Sequence, residues 1–594
     1  MPGGSADGEG KRVQSMVTGR WLVGLLGCVG LFGQAVPKAW VVKSNQNAQL
    51  LISLGAKYSP EGASSQGMPG FDDRISQPTP ENIAKQKADL QAARKELQAR
   101  LAAETDPLVK QDLEILIADA DRDIRSQEAN EKTFLPYMNV AGLIFSGEKT
   151  LLDEQTQAER RPAAVIRLRK YTGLEPGYTP VTQLAMARYR EKAKNPALLG
   201  PAKELIEKNL ENTSTYVTGL GILLEKYKLQ GYSEAYAKLR EQLAEYDEFV
   251  RKEVMPRART DFRLPPAIYQ TALDNYGVDY TSADLAKLAH QGFTDIQKQM
   301  ADVAVRVAKA RNLPSSDYRS VIRELKKEQF TADEILPKYE ATLKQIEEIV
   351  RKNHLLTLPE RPARIVIASA AETAQQPAPH MQPPPLMNNK GERGSFVLPL
   401  ATKGANGVEL KYDDFTFAAA AWTLTAHEAR PGHELQFASM VERGVSLARA
   451  MFAFNSTNVE GWGLYAEWFM LPYMPDEGKL ISLQLRMLRA ARAFLDPELQ
   501  SGKVTPEQAM KVLEEDVVCS KAFATEEVER FTFRMPGQAV SYYDGYSRLL
   551  ELRLEVEKAL GPKFEAGKFH DFILSQGLLP PGLLRKAVLA EFVK

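Results

Sequence analysis

Apolar residues spaced three and four positions apart dominate most of this chain and predict an overwhelmingly helical protein. The clearest run lies at 80–130, where Asp106-Pro107 separates two charged, periodic stretches. This run predicts a solvated helical hairpin on the flank of the protein, with a partner-binding coiled coil as the alternative. Helical spacing continues to 357 and returns from 413 to the end of the chain.

The pattern changes between 358 and 412. Two short runs rich in β-branched residues, within Pro362–Ala370 and Ser395–Leu400, predict strands, and a proline-rich loop separates them. Because proline beside such strands is typical of a sheet edge, we expect edge strands. The predicted fold class is mainly α, with a small sheet inserted before the last helical part of the chain.

These patterns divide the chain into five segments. They are a signal peptide (1–35), a turn-rich segment (36–78), a helical N-terminal half (79–357), the small sheet with its loop (358–412) and a second helical half with the candidate chemistry (413–594). We expect 36–594 to form one compact unit, since a helical chain of this length can share a single core.

The N-terminus has the features of an export signal. Basic residues precede an apolar run that is too short to span a bilayer comfortably, and a small-residue cleavage site follows at Ala35. We expect export to the periplasm or the extracellular space, with no transmembrane span after signal removal. Leu25–Cys28 resembles a lipoprotein cleavage box, so anchoring through Cys28 is one alternative, and a retained anchor or a later start at Met16 is another.

The charge balance limits the classes of partner that we expect, and the cysteine content limits the disulfides. The 594 residues include 76 basic and 76 acidic side chains, and no basic stripe carries interleaved aromatics, so nucleic acid is not an expected partner. Cys519 is the one cysteine left after signal removal, so we expect no internal disulfide in the mature chain. The sequence leaves the oligomeric state open.

Two of the six histidines lie in one short stretch, HEARPGHELQ, which begins at His427. Residues four apart share a helical face and can chelate one metal, but a spacing of six places His433 about 120° round a regular helix. Pro431 and Gly432 lie between the histidines, and a kink or bulge there would return His433 to the metal. The alternative is a helix that ends at a Pro-Gly cap and carries two ordinary histidines.

A downstream stretch, NVEGWGLYAEWFM, supplies two candidate carboxylates. Glu460 and Glu467 lie seven residues apart on one predicted helical face, among apolar and aromatic residues. A buried carboxylate needs a compensating charge, which a divalent cation provides. Since a catalytic zinc ion takes three protein ligands and keeps one position open, Glu460 completes the set, with Glu467 as an alternative ligand or a carboxylate behind it. An arginine salt bridge is the competing interpretation for either glutamate.

Four stretches occur in a fixed order along the chain: HEARPGHELQ, EGWGLYAEW, PGQAVSYYDGYSRLLELR and FHDFILSQGLLPPGLL. In this order and spacing they resemble the bacterial family known as domain of unknown function 885 (DUF885). The resemblance covers most of the chain, more loosely before residue 350. It implies a helical, zinc-metallopeptidase-like fold, distantly similar to the oligopeptidase and angiotensin-converting-enzyme group. The family shares the Pro-Gly insertion, whereas Glu434 departs from its pattern, since many members have a histidine there.

On this pattern, His427, His433 and Glu460 are the predicted ligands of one Zn²⁺ ion, with manganese or cobalt as other candidates. Glu428 is the predicted general base, which takes a proton from the activated water and passes it to the leaving amine. Tyr542 matches a tyrosine of the family motif and is the predicted donor to the oxyanion. Two neighbouring tyrosines are the alternatives: Tyr543 and Tyr546.

Four further residues are candidates for substrate binding. Phe396 and Val397 lie on the second predicted strand, where a peptide substrate could pair with an exposed edge; a stabilising flap without substrate contact is the alternative. Arg553 is a candidate partner for a substrate carboxylate or, equally, for an internal glutamate. His570 is a candidate substrate contact, with a structural role near a helix end as the alternative.

The predicted function is hydrolysis of amide bonds in short or unfolded peptides by an exported zinc enzyme. One alternative is an amidase that acts on a non-standard amide, such as a cell-wall peptide or a natural product. Another is a non-catalytic envelope binding protein that keeps the fold. The presence of Glu428 beside both histidines favours the enzyme, because a binding protein has no need of a general base.

Overall fold

Helices make up most of residues 38–403 and 409–593, the part of the chain that the computed structural model describes. The helices before the sheet are α1 (Ala39–Tyr58), α2 (Pro60–Ser65), α3 (Pro80–Ala103), α4 (Pro107–Thr133), α5 (Val140–Lys149), α6 (Ala163–Tyr171), α7 (Val181–Ala193), α8 (Lys203–Lys226), α9 (Ser233–Phe249), α10 (Pro266–Tyr276), α11 (Ser282–Arg311), α12 (Tyr318–Leu325) and α13 (Ala332–Lys352). From the sheet onward they are α14 (Ala370–Gln375), α15 (Ala418–Leu424), α16 (His433–Arg443), α17 (Ser456–Met470), α18 (Asp476–Gln500), α19 (Pro506–Lys511), α20 (Lys521–Glu529), α21 (Ser541–Leu560), α22 (Ala566–Ser575) and α23 (Pro581–Ala587). The predicted mainly α fold class is confirmed.

Helices α3 and α4 form a hairpin over the periodic run at 80–130, and α4 continues to Thr133. Thr79 begins α3 by accepting a hydrogen bond from the backbone N–H of Asn82 (3.1 Å), and Asp106 begins α4 by accepting bonds from the first turn of that helix. Each helix has proline at its first position, where the missing N–H leaves no bond unmade. The caps therefore explain where both helices begin.

The segment 36–78, which we expected to be turn-rich, begins instead with α1, a helix of 20 residues. Serine and asparagine make this stretch a weak helix former on its own, but packing overrides that preference. Leu51 and Ile52 are buried in a core shared with α3 and α4, and Ser44 donates a hydrogen bond to the buried Asp112 of α4. The prediction is wrong because local sequence does not show the surface against which these residues pack.

A three-stranded sheet precedes the histidine region. Its strands are β1 (Arg364–Ile367), β2 (His380–Gln382) and β3 (Ser395–Leu398), in the spatial order β1-β3-β2. β3 pairs with β1 in parallel and with β2 in antiparallel orientation. A separate hairpin follows, formed by β4 (Ala401–Lys403) and β5 (Glu409–Lys411).

The central position of β3 corrects the expectation that it is an edge strand. Its main-chain groups pair on both sides, so β3 offers no free edge to a peptide. Phe396 is fully buried, with its ring 5.7 Å from that of Tyr339, and Val397 is 4% exposed. The prediction fails because Pro399 lies beyond the strand, and because β2 lies in a proline-rich loop with little strand signal. Phe396 and Val397 are core residues, and their predicted pairing with substrate is wrong.

Besides the core that α1 shares with α3 and α4, two larger hydrophobic cores lie in the described residues, and the largest includes helices from both helical halves. The larger core includes residues of α11, α13, α15, α17, α18 and α21, and within it α11 lies along α18 while α17 lies along α21. The smaller core lies among α5 to α9. Backbone contacts join residues 38–403 and 409–593 into one unit. In the part of the chain that the structure describes, no helix combines the length and the apolar character needed to cross a bilayer. The predicted signal peptide (1–35) and Cys28 lie outside the described residues.

Candidate metal centre

The histidine region contains two helical segments with a break between them. α15 continues as a π-helical turn, Thr425–Ala429, which carries His427 and Glu428. The backbone becomes extended at Arg430 (φ −124°, ψ 136°), and α16 begins at His433. His433 is thus the first residue of a new helix, and the angular offset of a regular helix does not apply to it. The two imidazole centres lie 4.6 Å apart, with their ring planes at 84°.

Gly432 permits the tight turn between these segments. A Cβ atom at this position would lie 1.9 Å from the His427 carbonyl oxygen, so a larger residue does not fit. Trp462 of α17 holds the turn from the other side, because its indole Nε1 donates to the carbonyls of Pro431 (3.1 Å) and Gly432 (3.3 Å). The Pro-Gly insertion therefore places His433 beside His427, as the sequence hypothesis requires.

Arg430 anchors the same turn to the rest of the protein. Its buried guanidinium donates to Glu434 (2.7 Å), to Glu347 of α13 (2.7 Å) and to the carbonyl of Arg361 (2.7 Å). Two carboxylates and a carbonyl together balance this buried cation. Glu434, which departs from the family pattern, is thus an ion-pair partner of Arg430.

His427, His433 and Glu460 converge on one point. One nitrogen of each imidazole and one carboxylate oxygen of Glu460 all lie within 4.8 Å of one another. Glu460 Oε2 is 3.5 Å from His427 Nε2 and 3.3 Å from His433 Nε2. Two ligands of a tetrahedral zinc ion, each bound at about 2.0–2.2 Å, lie about 3.3–3.5 Å apart. The residues therefore fit a zinc ion in both donor type and spacing.

Gly463 of α17 makes room for both imidazoles. A Cβ atom there would lie 2.8 Å from His427 Nε2 and 2.8 Å from His433 Cε1, closer than side-chain atoms pack. Our reading of the sequence missed this residue. The sequence does contain the information needed to predict its position. Gly463 follows Glu460 by three positions and so lies on the same helical face.

Glu467 lies behind the cluster and is not one of the three converging groups. One of its carboxylate oxygens is 2.7 Å from His427 Nδ1, and the other accepts a hydrogen bond from Thr423 (2.6 Å). Arg489 of α18 approaches the same carboxylate at 3.5 Å. A carboxylate that accepts the Nδ1 proton fixes the tautomer whose Nε2 lone pair is free for a metal. The structure thus favours the second of the two predicted roles, a carboxylate that orients a ligand.

The carboxylates around His427 give the cluster a negative charge that needs compensation. Burial lowers the pKa of His427, but hydrogen bonds to Glu460 and Glu467 outweigh burial and raise it to about 9. Burial raises the pKa of Glu460, yet the two imidazoles bring it far below its ordinary value. Burial raises the pKa of Glu428 by more than the nearby imidazoles of His427 and His433 lower it. A proton on His427 compensates part of this negative charge without a metal. A divalent cation would compensate more of it.

Tyr542 of α21 is the tyrosine beside the cluster. Its ring stacks on that of His427, with centres 6.3 Å apart and planes at 18°, and its hydroxyl accepts a hydrogen bond from Arg530 (3.4 Å). Tyr543 and Tyr546, the two alternative donors to the oxyanion, face other groups. The Tyr543 hydroxyl lies against Gly292 of α11, and the Tyr546 ring faces the guanidinium of Arg486 at 5.5 Å.

Arg553 and His570 form a network of their own. The Arg553 Nη1 donates to the Tyr465 hydroxyl (2.9 Å), and its Nε donates to Glu557 (2.7 Å). His570 Nε2 lies 2.9 Å from the same hydroxyl, and Nδ1 lies 2.8 Å from the carbonyl of Leu355. These contacts correspond to the structural alternatives for both residues: an internal ion pair and a buried, hydrogen-bonded histidine.

Comparisons with other proteins bear on the family and the fold. The family model described as bacterial protein of unknown function DUF885 matches residues 60–588. The chain belongs to the DUF885 family. No curated protein matches it.

Two solved structures share the fold of this chain. A "putative lipoprotein" of unknown function from Shewanella oneidensis is 18% identical, with a TM-score of 0.67, over 93% of this chain and 100% of that one. A "putative lipoprotein" from Colwellia psychrerythraea is 17% identical, with a TM-score of 0.73, over 93% of this chain and 98% of that one. At this identity the likeness shows the fold alone.

Proposed function

We propose that this protein is an exported metal-dependent hydrolase that cleaves amide bonds in short or unfolded peptides. The observation that carries the proposal is the convergence of His427, His433 and Glu460, with the carboxylate of Glu428 beside them. Glu428 Oε1 lies 4.0 Å from His427 Nε2. Three ligands with an adjacent carboxylate are the parts that a hydrolytic zinc site requires.

His427, His433 and Glu460 would hold the ion. When bound, zinc supplies a Lewis acid that polarises the amide carbonyl and lowers the pKa of water at the site. Glu428 accepts the proton of the attacking water and delivers it to the nitrogen of the leaving amine as the C–N bond breaks. Burial suits Glu428 to both steps, because it raises the pKa of the carboxylate above its ordinary value and so makes it a stronger base.

Tyr542 donates its hydroxyl proton in a hydrogen bond to the oxyanion that forms at the attacked carbonyl. Because Arg530 donates to the Tyr542 oxygen, the phenolic proton is left free to point elsewhere. Burial raises the pKa of Tyr542, and nearby Glu460 raises it further, so the phenol keeps its proton.

The exposure of the site favours a slender substrate. The His427 and His433 side chains are 1% and 6% exposed, whereas Glu460 is 16% exposed. Solvent therefore reaches the cluster from the Glu460 side. This limited exposure is the support for a short or extended substrate rather than a folded protein.

We further propose that the protein acts in the cell envelope. The support is the N-terminal apolar run and the description of both similar structures as a "putative lipoprotein". Intact-mass analysis of protein purified from its own host distinguishes the two forms. Cleavage after Ala35 supports a free protein, a diacylated N-terminal Cys28 supports an anchored one, and an uncleaved N-terminus contradicts export by either route.

The decisive test of the enzyme compares the wild type with Glu428→Gln in metal content and in peptide hydrolysis. We expect one bound zinc ion per chain in both proteins and loss of hydrolysis in the variant, since glutamine cannot take up a proton. Glu442→Gln, an exposed change on α16, is the matched control and should leave both properties unchanged.

Substrates for this test come from a library of short peptides with free or blocked termini, read by mass spectrometry. Wild-type protein without bound metal would overturn the proposal. Zinc binding without cleavage of any amide in the library would instead favour the non-catalytic binding protein.

A further inference from the structure

Helix α18 carries three buried arginines on successive turns: Arg486, Arg489 and Arg492, each at most 5% exposed. Arg492 forms a bidentate pair with Glu527, at 2.6 and 2.7 Å. Arg489 faces Glu467 at 3.5 Å. Among the described residues, Arg486 forms no ion pair, and its Nε and Nη2 atoms lack any hydrogen-bond partner. The row thus contains one buried guanidinium without a counter-charge.

The unpaired donors lie along one face of α18. Ser482, Arg486 and Arg489 are spaced by four and three residues, which places them one above the other. The Ser482 hydroxyl and the Arg489 Nε are also buried and unpartnered. The Ser482 hydroxyl and three guanidinium nitrogen atoms are therefore withdrawn from water on a single helical face. Buried donors of this kind are rarely left unpaired in folded proteins.

Neighbouring aromatic rings do not satisfy these donors. The Arg486 guanidinium lies 5.5 Å from the centre of the Tyr546 ring, and that of Arg489 lies 6.0 Å from the Tyr542 ring. A ring face attracts the cation as a whole, but it accepts no hydrogen bond in the plane of the guanidinium. The in-plane N–H groups still require an acceptor.

We propose that the face formed by Ser482, Arg486 and Arg489 binds one small monovalent inorganic anion, such as a halide. A single negative charge matches the single unpaired guanidinium, and a spherical ion accepts N–H and O–H donors from several directions. The burial of all three side chains excludes a bulky ligand. Water could accept the same hydrogen bonds but would leave the charge of Arg486 uncompensated.

This anion site lies close to the candidate metal centre but does not depend on it. Arg489 connects the two, since it approaches Glu467, whose carboxylate meets His427 at 2.7 Å. An anion beside Arg489 would weaken the positive field that this arginine exerts on the centre. The anion site can therefore be tested on protein from which metal has been removed.

The direct test is diffraction from crystals grown in sodium bromide, measured at the bromine absorption edge. We expect an anomalous peak within hydrogen-bonding distance of Arg486 Nε or Nη2 in the wild type. An anomalous map without a bromide peak on this face, with ordered water in its place, would overturn the proposal. This experiment needs no variant, so it stands even if a substituted chain fails to fold.

A second test measures thermal unfolding of chelator-treated protein in sodium chloride and in sodium gluconate at equal ionic strength. We expect chloride to raise the Tm of the wild type in a saturable manner, because the ion binds the folded state. The Arg486→Leu variant should lose this response. Arg585→Leu, which removes a surface arginine that is 56% exposed, should keep it. An equal chloride response in the wild type and in Arg486→Leu would contradict the proposal.

Discussion

The Nδ1 atom of His427 lies 2.7 Å from a carboxylate oxygen of Glu467, and both side chains are almost completely buried. This contact fixes which imidazole nitrogen faces Glu460 and His433. It also makes His427 a better donor to a cation, because the carboxylate stabilises positive charge on the ring. A residue that does not itself reach the metal is thus expected to determine how tightly the metal binds.

Glu467→Gln should weaken zinc binding about 10- to 100-fold, the usual effect of losing a carboxylate behind a histidine ligand. The measurement is a zinc titration against a competing chelator. Thr423→Val removes a hydrogen bond to Glu467 but keeps the charge, so its loss of affinity should be smaller. Wild-type affinity in Glu467→Gln would show that this contact has no influence on the site.

Gly463→Ala should prevent zinc binding while the protein stays folded. The added methyl group would lie 2.8 Å from both His427 Nε2 and His433 Cε1, so at least one imidazole must move. Gly55→Ala is the matched control, because this glycine of α1 is also helical and has open space around it. Zinc content measured beside the circular dichroism spectrum checks the result, and full zinc occupancy in Gly463→Ala would refute it.

Tyr542→Phe should lower kcat about 10²- to 10³-fold with little change in KM, as expected for loss of one donor to an oxyanion. Zinc content should not change, since Tyr542 is not a ligand. The comparison is Tyr543→Phe, whose hydroxyl lies against α11 and away from the cluster. Equal kcat values for the two variants would remove Tyr542 from the mechanism.

His570 should make the protein less stable in mild acid. Burial lowers its pKa to about 4, below the unfolded value of about 6.5, so the unfolded chain binds more protons between these pH values. The stability due to neutral His570 is present above pH 6.5 and is lost as the pH falls towards 4. Between pH 7 and pH 5 this amounts to about 2 kcal/mol.

Urea unfolding of the wild type and of His570→Gln at pH 7 and pH 5 measures the contribution of His570 to this loss of stability. Glutamine can still donate to the Leu355 carbonyl and accept from Tyr465, but it does not titrate. The free energy of unfolding of the variant should therefore fall less between pH 7 and pH 5. An identical fall in both proteins would show that His570 does not contribute.

Sequence periodicity predicts the helical fold well, because most helices bury an apolar stripe that can be read directly. It fails at α1, where buried Ser44 finds its partner on α4, 68 residues away. It fails again at β3, because strand order depends on where the short β2 pairs. Both errors concern contacts between distant segments, which local patterns do not contain.

In the candidate site, too, the sequence predicts some features, whereas others depend on contacts between distant segments. The grouping of His427, His433 and Glu460 could be predicted from residue spacing and ligand chemistry. The structure places their side chains together. The role of Glu467 could not be chosen, since its seven-residue spacing from Glu460 suits a ligand as well as a supporting carboxylate. That choice required the 2.7 Å distance to His427 Nδ1. Metal binding and hydrolysis stay predictions.

The central claim is that His427, His433 and Glu460 bind one metal ion. Diffraction from zinc-loaded crystals, measured on both sides of the zinc absorption edge, tests it most directly. We predict one anomalous peak per chain, about 2.0–2.2 Å from the Nε2 atoms of both histidines and from a Glu460 carboxylate oxygen. A map without a peak among these three residues, while their side chains keep the positions described, would contradict the account.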